Sequence, residues 1–310
     1  MFWRVVQLPV ILAVIFVVTF VLAWVVPGNP LERPDGHRPP IEIQRAMLKQ
    51  YNLHHPWAFA RGYLKSVLIE GDLGPSLQYR NHRVSELIAA GLPVSASLGA
   101  ASLIVAVLLG LAVGVGGARR PGSLIDLAGL VVVVAGVSLP AFVTGSVLLV
   151  VFGGLLRWVP VGGWGGATHA ILPAITLGLA PAAYIARLVR VGLDEAMASD
   201  FVRTARAKGL SRDQVIVRHG LKIAMLPVLS FFGPAAAAVM TGSFVVEKVF
   251  AIPGLGQHFV NAVVNKDQFL ILGVVMVYAV ILVVFNLLVD LAYAWVDPRI
   301  NLTSPGHRGR

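Results

Sequence analysis

Apolar residues fill six long stretches of the chain, and polar residues gather between them. The stretches cover residues 5–26, 93–117, 124–152, 171–186, 224–246 and 269–289. A helix rises roughly 1.5 Å per residue, so most of them can cross a hydrocarbon core about 30 Å thick. The fourth is short, but it reaches that length if Arg187 and Arg190 extend toward the lipid headgroups. The pattern predicts an all-α integral membrane protein with six transmembrane helices.

The composition agrees with a membrane protein and removes several kinds of chemistry. The 310 residues are 57% hydrophobic, with a mean hydropathy of +0.79, which is too apolar for a soluble domain of this length. Cysteine is absent, so disulfides, thiolate catalysis and cysteine-based metal sites are excluded. His169, His219 and His258 do not have the spacing of a metal site. We therefore predict no metal site, and we expect no cofactor and no catalytic residue in this chain.

Basic residues are distributed unevenly over the short loops. Fourteen Lys and Arg residues fall on one side of the predicted membrane: Arg4, Arg119, Arg120, Arg187, Arg190, Arg203, Arg206, Lys208, Arg212, Arg218, Lys222, Arg299, Arg308 and Arg310. Three fall on the other side: Arg157, Lys248 and Lys266. The side richer in Lys and Arg is cytoplasmic, which predicts that both termini lie in the cytoplasm.

The predicted layout has four parts. The first apolar stretch has the outline of a signal peptide, but it is too long and lacks a small-residue cleavage site. We interpret it as a retained transmembrane helix, residues 1–26. An extended extracytoplasmic segment follows at 27–92, then five helices at 93–296 with a charged cytoplasmic loop at 194–223, and a cytoplasmic tail at 297–310.

The segment at 27–92 has signs of folded structure. Ile43, Met47, Leu48 and Tyr51 recur at helical spacing, and "GDLGPSLQ" at 71–78 is rich in turn-forming residues. We expect a small external cap.

The charged loop contains the start and stop signals of two short helices. Residues 200–208 predict the first helix, and Gly209 suits a left-handed position just after its end. Ser211 and Gln214 have the spacing of a capping box, and Leu210 with Val215 that of a hydrophobic staple. The loop is therefore expected to form a small rigid projection at the cytoplasmic face.

Within this projection, the helical spacing places Phe201 and Ala205 on one face, with Val215 and Ile216 as apolar contacts after the turn. Arg203, Arg206 and Arg212 are left to polar surroundings. A loop that only fixes topology or touches anionic lipid is the simpler interpretation, although such a loop needs no paired caps. A nucleic-acid arm is disfavoured because no stacking aromatic residue besides Phe201 lies among the charges.

Polar residues inside the apolar stretches are few. Those that could line a polar path are Ser138, Thr144, Thr241, Ser243, Tyr278 and Asn286, and each could equally form a hydrogen bond between helices. Pro140, Pro181 and Pro234 can kink their helices. Gly110 and Gly114 form a G-x-x-x-G pattern that permits close helix contact, either inside the chain or with a partner.

Two features that the sequence lacks limit how transport could be powered. No ionisable residue lies in the middle of an apolar stretch, whereas ion-coupled carriers keep such groups there. No G-x-x-x-x-G-K-[ST] phosphate loop is present, so ATP cannot be bound in that manner. Active transport would need energy from another subunit. A passive channel, a scaffold or receptor, and a stand-alone secondary carrier remain as rival hypotheses.

The charged loop, "FVRTARAKGLS" followed by "VRHGLKIAMLP", resembles the coupling loop of ABC importer permeases. It is most similar to the version in dipeptide, oligopeptide and nickel permeases. "GDLGPS", "VVEKVFAIPGLG" and "LLVDLAYAWVDPRI" extend the resemblance over nearly the whole chain. Arg203 and Thr204 stand where the wider superfamily has Glu-Ala, and the proline comes later, at Pro227.

The resemblance implies a permease subunit of a bacterial inner-membrane importer for di- or oligopeptides, with nickel complexes as the alternative cargo. It implies a homologous sister permease, two ATP-binding subunits that carry ATP and Mg²⁺, an extracytoplasmic substrate-binding protein and surrounding membrane lipid; nucleic acid is not expected. The residues expected to couple to the ATPase are Arg203, Thr204, Ala205, Lys208, Gly209, Leu210, Ser211 and His219.

Overall fold

The computed structural model of the protein describes residues 2–32, 40–79 and 81–296, except for some side chains inside the helices. Helices form almost all of the regular structure in these ranges. They are α1 Phe2–Val25, α2 Ile41–Gln50, α3 Pro56–Lys65, α4 Val84–Arg119, α5 Leu124–Ser138, α6 Ala141–Leu148, α7 Ala167–Met197, α8 Asp200–Ala207, α9 Arg212–Val215, α10 Leu221–Val249, α11 Leu255–Val264 and α12 Gln268–Val296. Wider π-helical turns continue α3, α6 and α9 at Ser66–Glu70, Leu149–Leu155 and Ile216–Gly220.

The predicted apolar stretches form helices, but one of them is interrupted. Within the described residues, five helical stretches are long and apolar enough to cross a membrane: Gln7–Val25, Val84–Arg119, Ala167–Met197, Arg212–Ala236 and Gln268–Val289. The stretch predicted at 124–152 is divided into α5 and α6 at Leu139 and Pro140. Proline has no backbone N–H and disfavours helical geometry in the residue before it. The all-α membrane fold is confirmed, and the count of six crossings stays a prediction.

The described chain divides into two compact units. One contains the described parts of Met1–Ser95 and Pro253–Val283, and the other those of Ala96–Ile252 and Val284–Arg310.

In the second unit, α4 and α10 both pack closely on α7 at glycines. A Cβ atom at Gly110 would lie 2.6 Å from the Ile185 side chain, and one at Gly114 would lie 2.8 Å from the carbonyl oxygen of Ala186. Gly192 of α7 approaches Ala224 of α10 in the same way, at 2.8 Å. The G-x-x-x-G pattern therefore serves a contact inside the chain, where the absence of side chains lets the backbones approach.

In the first unit, the connection between α3 and α4 is tied to the residues before α12. The buried Asp267 carboxylate accepts hydrogen bonds from the Ser76 hydroxyl and from the backbone N–H groups of Leu77, Gln78 and Leu270. Burial raises the pKa of this carboxyl, and the hydrogen bonds oppose that shift. We call Asp267 and its four donors the Asp267 node.

The Gln78 side chain extends the same arrangement. Its amide nitrogen donates to the carbonyl oxygens of Pro30, Glu32 and Asn265, at 3.0, 3.1 and 2.9 Å. Three stretches that are distant in sequence are thereby held at one side chain.

Gly74 shows how closely these stretches pack. Its φ of +84° favours glycine, and a Cβ there would lie 2.4 Å from the ring of Phe269. The turn-rich "GDLGPSLQ" stretch is thus a packed connection, and the helix expected near residue 43 is present as α2.

Candidate functional site

The charged loop between α7 and α10 contains α8 and α9, and the end of α8 is closed by backbone hydrogen bonds. The Leu210 N–H donates to the Ala205 carbonyl at 3.3 Å, and the Gly209 N–H donates to the Arg206 carbonyl at 2.9 Å. These are the two bonds of a Schellman motif, which needs a left-handed residue after the helix. Gly209 supplies it with a φ of +85°, as its position in the sequence predicts.

The start of α9 is closed by side chains. The Gln214 N–H donates to the Ser211 hydroxyl at 3.3 Å, and the Ser211 N–H donates to the Gln214 side-chain oxygen at 2.9 Å. This reciprocal capping box was predicted from the spacing. The capping box and the Schellman motif together pair backbone N–H and C=O groups at the facing ends of α8 and α9. Only a few residues separate these ends, so the angle between the two helices is well defined.

A small apolar core joins α8 to α9. Val202, Ala205 and Val215 are buried together, and Leu210 packs against them. The expected staple between Leu210 and Val215 is therefore present. The face predicted for α8 was partly wrong: Ala205 is buried with Val202, whereas Phe201 is 37% exposed. Residues 201 and 202 both lie within one turn of Ala205, and Val202 is the one that packs with Ala205 and Val215.

The outer surface of the loop is polar. The exposed members of the predicted coupling set are Arg203, Thr204, Lys208, Gly209, Ser211 and His219. Arg203 forms an ion pair with Asp200 at 3.5 Å, with both side chains almost fully exposed. The ring of His219 lies 6.4 Å from that of Phe201. Ala205 and Leu210 instead form the inner side, so the eight residues divide into a supporting pair and an exposed group.

Two contacts attach α9 to the end of α4. Arg212 donates from Nη2 to the Ala118 carbonyl oxygen at 3.1 Å, and Asp213 forms an ion pair with Arg119 at 3.2 Å. No spacing in the sequence indicates these contacts, because they join residues almost 100 positions apart.

A second ionic group lies beside these helices. Arg190 of α7 contacts Asp126 of α5 at 2.7 Å and Asp194 at 3.2 Å. The four-residue spacing of Arg190 and Asp194 is the only part of this group that was visible in the sequence. Asp126 and Arg190 also line a cavity of about 600 Å³ together with apolar residues of α4, α5 and α7.

Of the six residues proposed to line a path, the five whose side chains are described do not line this cavity. Ser243 and Thr144 donate their hydroxyls to carbonyl oxygens of nearby residues, Met240 and Pro140. Asn286 lies against Gly233, where a Cβ would come within 2.7 Å of its side-chain oxygen.

The other three path candidates are placed as follows. Ser138 is exposed at the end of α5, Tyr278 is buried in α12, and the side chain of Thr241 is outside the described part of the structure. A role for the six in a transport path stays a prediction.

Known proteins resemble this chain over most of its length. Residues 106–302 match the family described as binding-protein-dependent transport system inner membrane component. The chain belongs to this family. The resemblance read from the charged loop is thus confirmed, and this permease is a membrane component of an ABC import system.

Curated relatives of the permease are similar from end to end. It is 40% identical over 294 residues to the dipeptide transport system permease protein DppB of Bacillus subtilis (strain 168), covering 94% of each chain. It is 40% identical over 293 residues to the oligopeptide transport system permease protein OppB of Escherichia coli (strain K12), covering 93% of this permease and 94% of that protein.

A solved structure shares the fold of the permease. The inward-facing MetNI methionine ABC transporter matches with a TM-score of 0.54 at 20% identity, covering 69% of this permease and 97% of that chain.

Proposed function

We propose that the permease is one half of the membrane pathway of an ATP-driven importer for dipeptides and oligopeptides. The observation that carries this proposal is the 40% identity to dipeptide and oligopeptide permeases over 93–94% of the chain. Nickel complexes are the alternative cargo, because the resemblance in the charged loop extends to nickel permeases. Membership of an import family argues against a scaffold and against a stand-alone carrier.

The proposed machine has further subunits. A homologous sister permease completes the pathway, two ATP-binding subunits supply energy from ATP and Mg²⁺, and an extracytoplasmic binding protein delivers the substrate. The sequence supports an external energy source, because it has no phosphate loop and no ionisable residue in the middle of an apolar stretch.

The loop at Asp200–Gly220 is proposed to dock in the ATP-binding subunit and to pass its movement to α7 and α10. Support comes from its rigidity and its exposed surface. The Schellman motif, the capping box and the core of Val202, Ala205 and Val215 hold its shape, while Arg203, Lys208 and Ser211 are exposed. A rigid element transmits a displacement, whereas a flexible linker would absorb it.

Orientation is part of the proposal. The fourteen-to-three distribution of basic residues favours cytoplasmic termini and a cytoplasmic loop. Since the chain contains no cysteine, the variant Ser211→Cys reports a single site. An impermeant thiol reagent added outside intact cells should leave it unlabelled, and labelling from outside would contradict the orientation.

The transport proposal is tested in vesicles that contain both permeases, the ATP-binding subunits and the binding protein. We expect ATP-dependent uptake of a labelled dipeptide or oligopeptide, and unlabelled peptide should compete for it. Uptake of nickel complexes without peptide competition would favour the alternative. Uptake of neither cargo by a complex that hydrolyses ATP would contradict both.

A further inference from the structure

α3 and the π-helical turn that continues it lie beside two membrane-spanning helices. On the buried face of α3, Phe59 and Tyr63 stack against Phe20 and Phe16 of α1, with ring centroids 6.2 and 6.0 Å apart. Phe59 also meets the ring of Phe269, in the first turn of α12, at 5.0 Å. Both α1 and α12 are apolar enough to cross a membrane. The helix is therefore held against the part of the chain that the bilayer surrounds.

The opposite face of this helix carries large apolar side chains that no other described part of the chain covers. Trp57 is 81% exposed and Leu68 is 79% exposed, with Leu64 between them. Arg61 and Lys65 lie on the same exposed side. Helices at the membrane interface bury tryptophan and leucine in the lipid and direct arginine and lysine toward the headgroups. Their long basic side chains reach lipid phosphates while the stems rest on acyl chains.

We propose that α3 and its π-helical turn form an interfacial helix, with the face from Trp57 to Leu68 buried among the phospholipids of the leaflet at the Val25 end of α1. The neighbouring helix α1 also exposes apolar side chains, Val17 and Val21, which face lipid in a spanning helix. The partner is thus the lipid of one leaflet, bound through apolar contact and through phosphate contacts of Arg61 and Lys65.

A soluble partner explains this face less well. Whenever such a partner left, Trp57 and Leu68 would return to water, and exposing apolar surface to water is unfavourable. Lipid stays in place through every state of the transporter. The inference does not depend on which substrate is carried, and it changes the expectation for residues 27–92, because part of this segment then lies in the membrane and not in water.

Spin labels in a chain without native cysteine can locate the helix. The full permease, with the subunits that copurify, would be placed in nanodiscs of phosphatidylethanolamine and phosphatidylglycerol and labelled at Leu64→Cys or Leu68→Cys. Val17→Cys serves as the lipid control and Glu42→Cys in α2 as the water control. We expect collisions with oxygen, which concentrates in lipid, to exceed collisions with a water-soluble nickel chelate at positions 64 and 68, as at position 17.

Two results would overturn the proposal. Labels at positions 64 and 68 that behave like the label at position 42 would place the face in water. Low collision rates with both reagents would mean that another protein covers the face.

A pair of charge substitutions gives an independent measurement. Leu68→Glu should reduce the yield of folded, membrane-inserted permease severalfold, because a carboxylate is poorly tolerated in lipid. The matched variant Ile43→Glu in α2 should have little effect, although Ile43 is less exposed, at 51% against 79%. If only burial within the chain mattered, Ile43→Glu would be the more damaging substitution, because Ile43 is the more buried residue. Equal effects, or a larger effect of Ile43→Glu, would therefore contradict the lipid contact.

Discussion

The charged loop between α7 and α10 closes largely on itself, whereas the segment between α3 and α4 is held by a residue near the other end of the chain. In the loop, the bonds of the Schellman motif and the capping box join residues no more than five positions apart. In the segment, the Ser76 hydroxyl bonds to Asp267, which lies 191 positions away. The loop keeps its shape through neighbours in sequence, and the segment depends on the completed fold.

This difference predicts where a single substitution has a large effect. Each local cap contributes modestly to the stability of the loop, and this contribution is spread over several residues. A long-range node concentrates the anchoring of a whole segment in one carboxylate. Four predictions test the contrast, in order of decreasing expected effect.

Asp267→Ala should have the largest effect. It removes the acceptor of four hydrogen bonds and leaves backbone N–H groups such as that of Leu77 unsatisfied, at a cost of about 3 kcal/mol. Hydrogen exchange of residues 71–79 should accelerate about 100-fold, since 1.4 kcal/mol is a factor of ten. Exchange in α8 and α9 should stay unchanged. Equal acceleration in both regions would contradict their independence.

Gly209→Val should come second. A Cβ at this position meets nothing within 4 Å, so the expected penalty is that of a β-branched residue in a left-handed backbone, at roughly 1–2 kcal/mol. Uptake in the reconstituted transporter should fall severalfold while membrane insertion stays normal. Gly209→Asn is the matched control, because asparagine tolerates this conformation, and it should retain most activity. Wild-type transport by the valine variant with the ATP-binding subunit still bound would show that the loop does not transmit movement.

Ser211→Ala should have a smaller effect, about 1 kcal/mol for the loss of the cap. Gln214→Ala removes the other half of the capping box. Because the two bonds form one structure, the double variant should lose less than the sum of the single losses. Hydrogen exchange of the first turn of α9 measures all three variants. Strict additivity would mean that the two bonds act separately.

Asp213→Ala should have the smallest effect. Its ion pair with Arg119 joins side chains that are 66% and 41% exposed, so water and salt screen it, and the loss should be at most about 0.5 kcal/mol. Asp126→Ala is the comparison, since its pair with Arg190 is only 27% and 29% exposed and should matter more. Thermal unfolding at low and high salt distinguishes the two. A larger loss for Asp213→Ala would reverse the expected order.

The same contrast explains what the sequence could predict. Gly209, Ser211, Gln214 and Leu210 could be assigned because each acts on residues within one or two helical turns. The Asp267 node could not be predicted, because no spacing rule connects "GDLGPSLQ" to a residue that far away.

Two differences between the sequence prediction and the structure also have physical causes. Phe201 was assigned to the same face of α8 as Ala205 because the two residues lie four positions apart, yet it is Val202 that is buried with Ala205 and Val215. The apolar pattern at 124–152 is continuous, but Pro140 divides the helix because its ring acts on the backbone and not on hydrophobicity.

The Asp267 node also sets an order for biosynthesis. Ribosomes add roughly 5–20 residues per second, so the 191 residues that follow Ser76 up to and including Asp267 take about 10–40 s to make at that rate. During that interval the nascent segment has no carboxylate to receive the Ser76 hydroxyl and the Leu77 and Gln78 N–H groups. Residues 71–79 therefore reach their final structure only after the start of α12 has been synthesised, although they are among the first third of the chain to leave the ribosome.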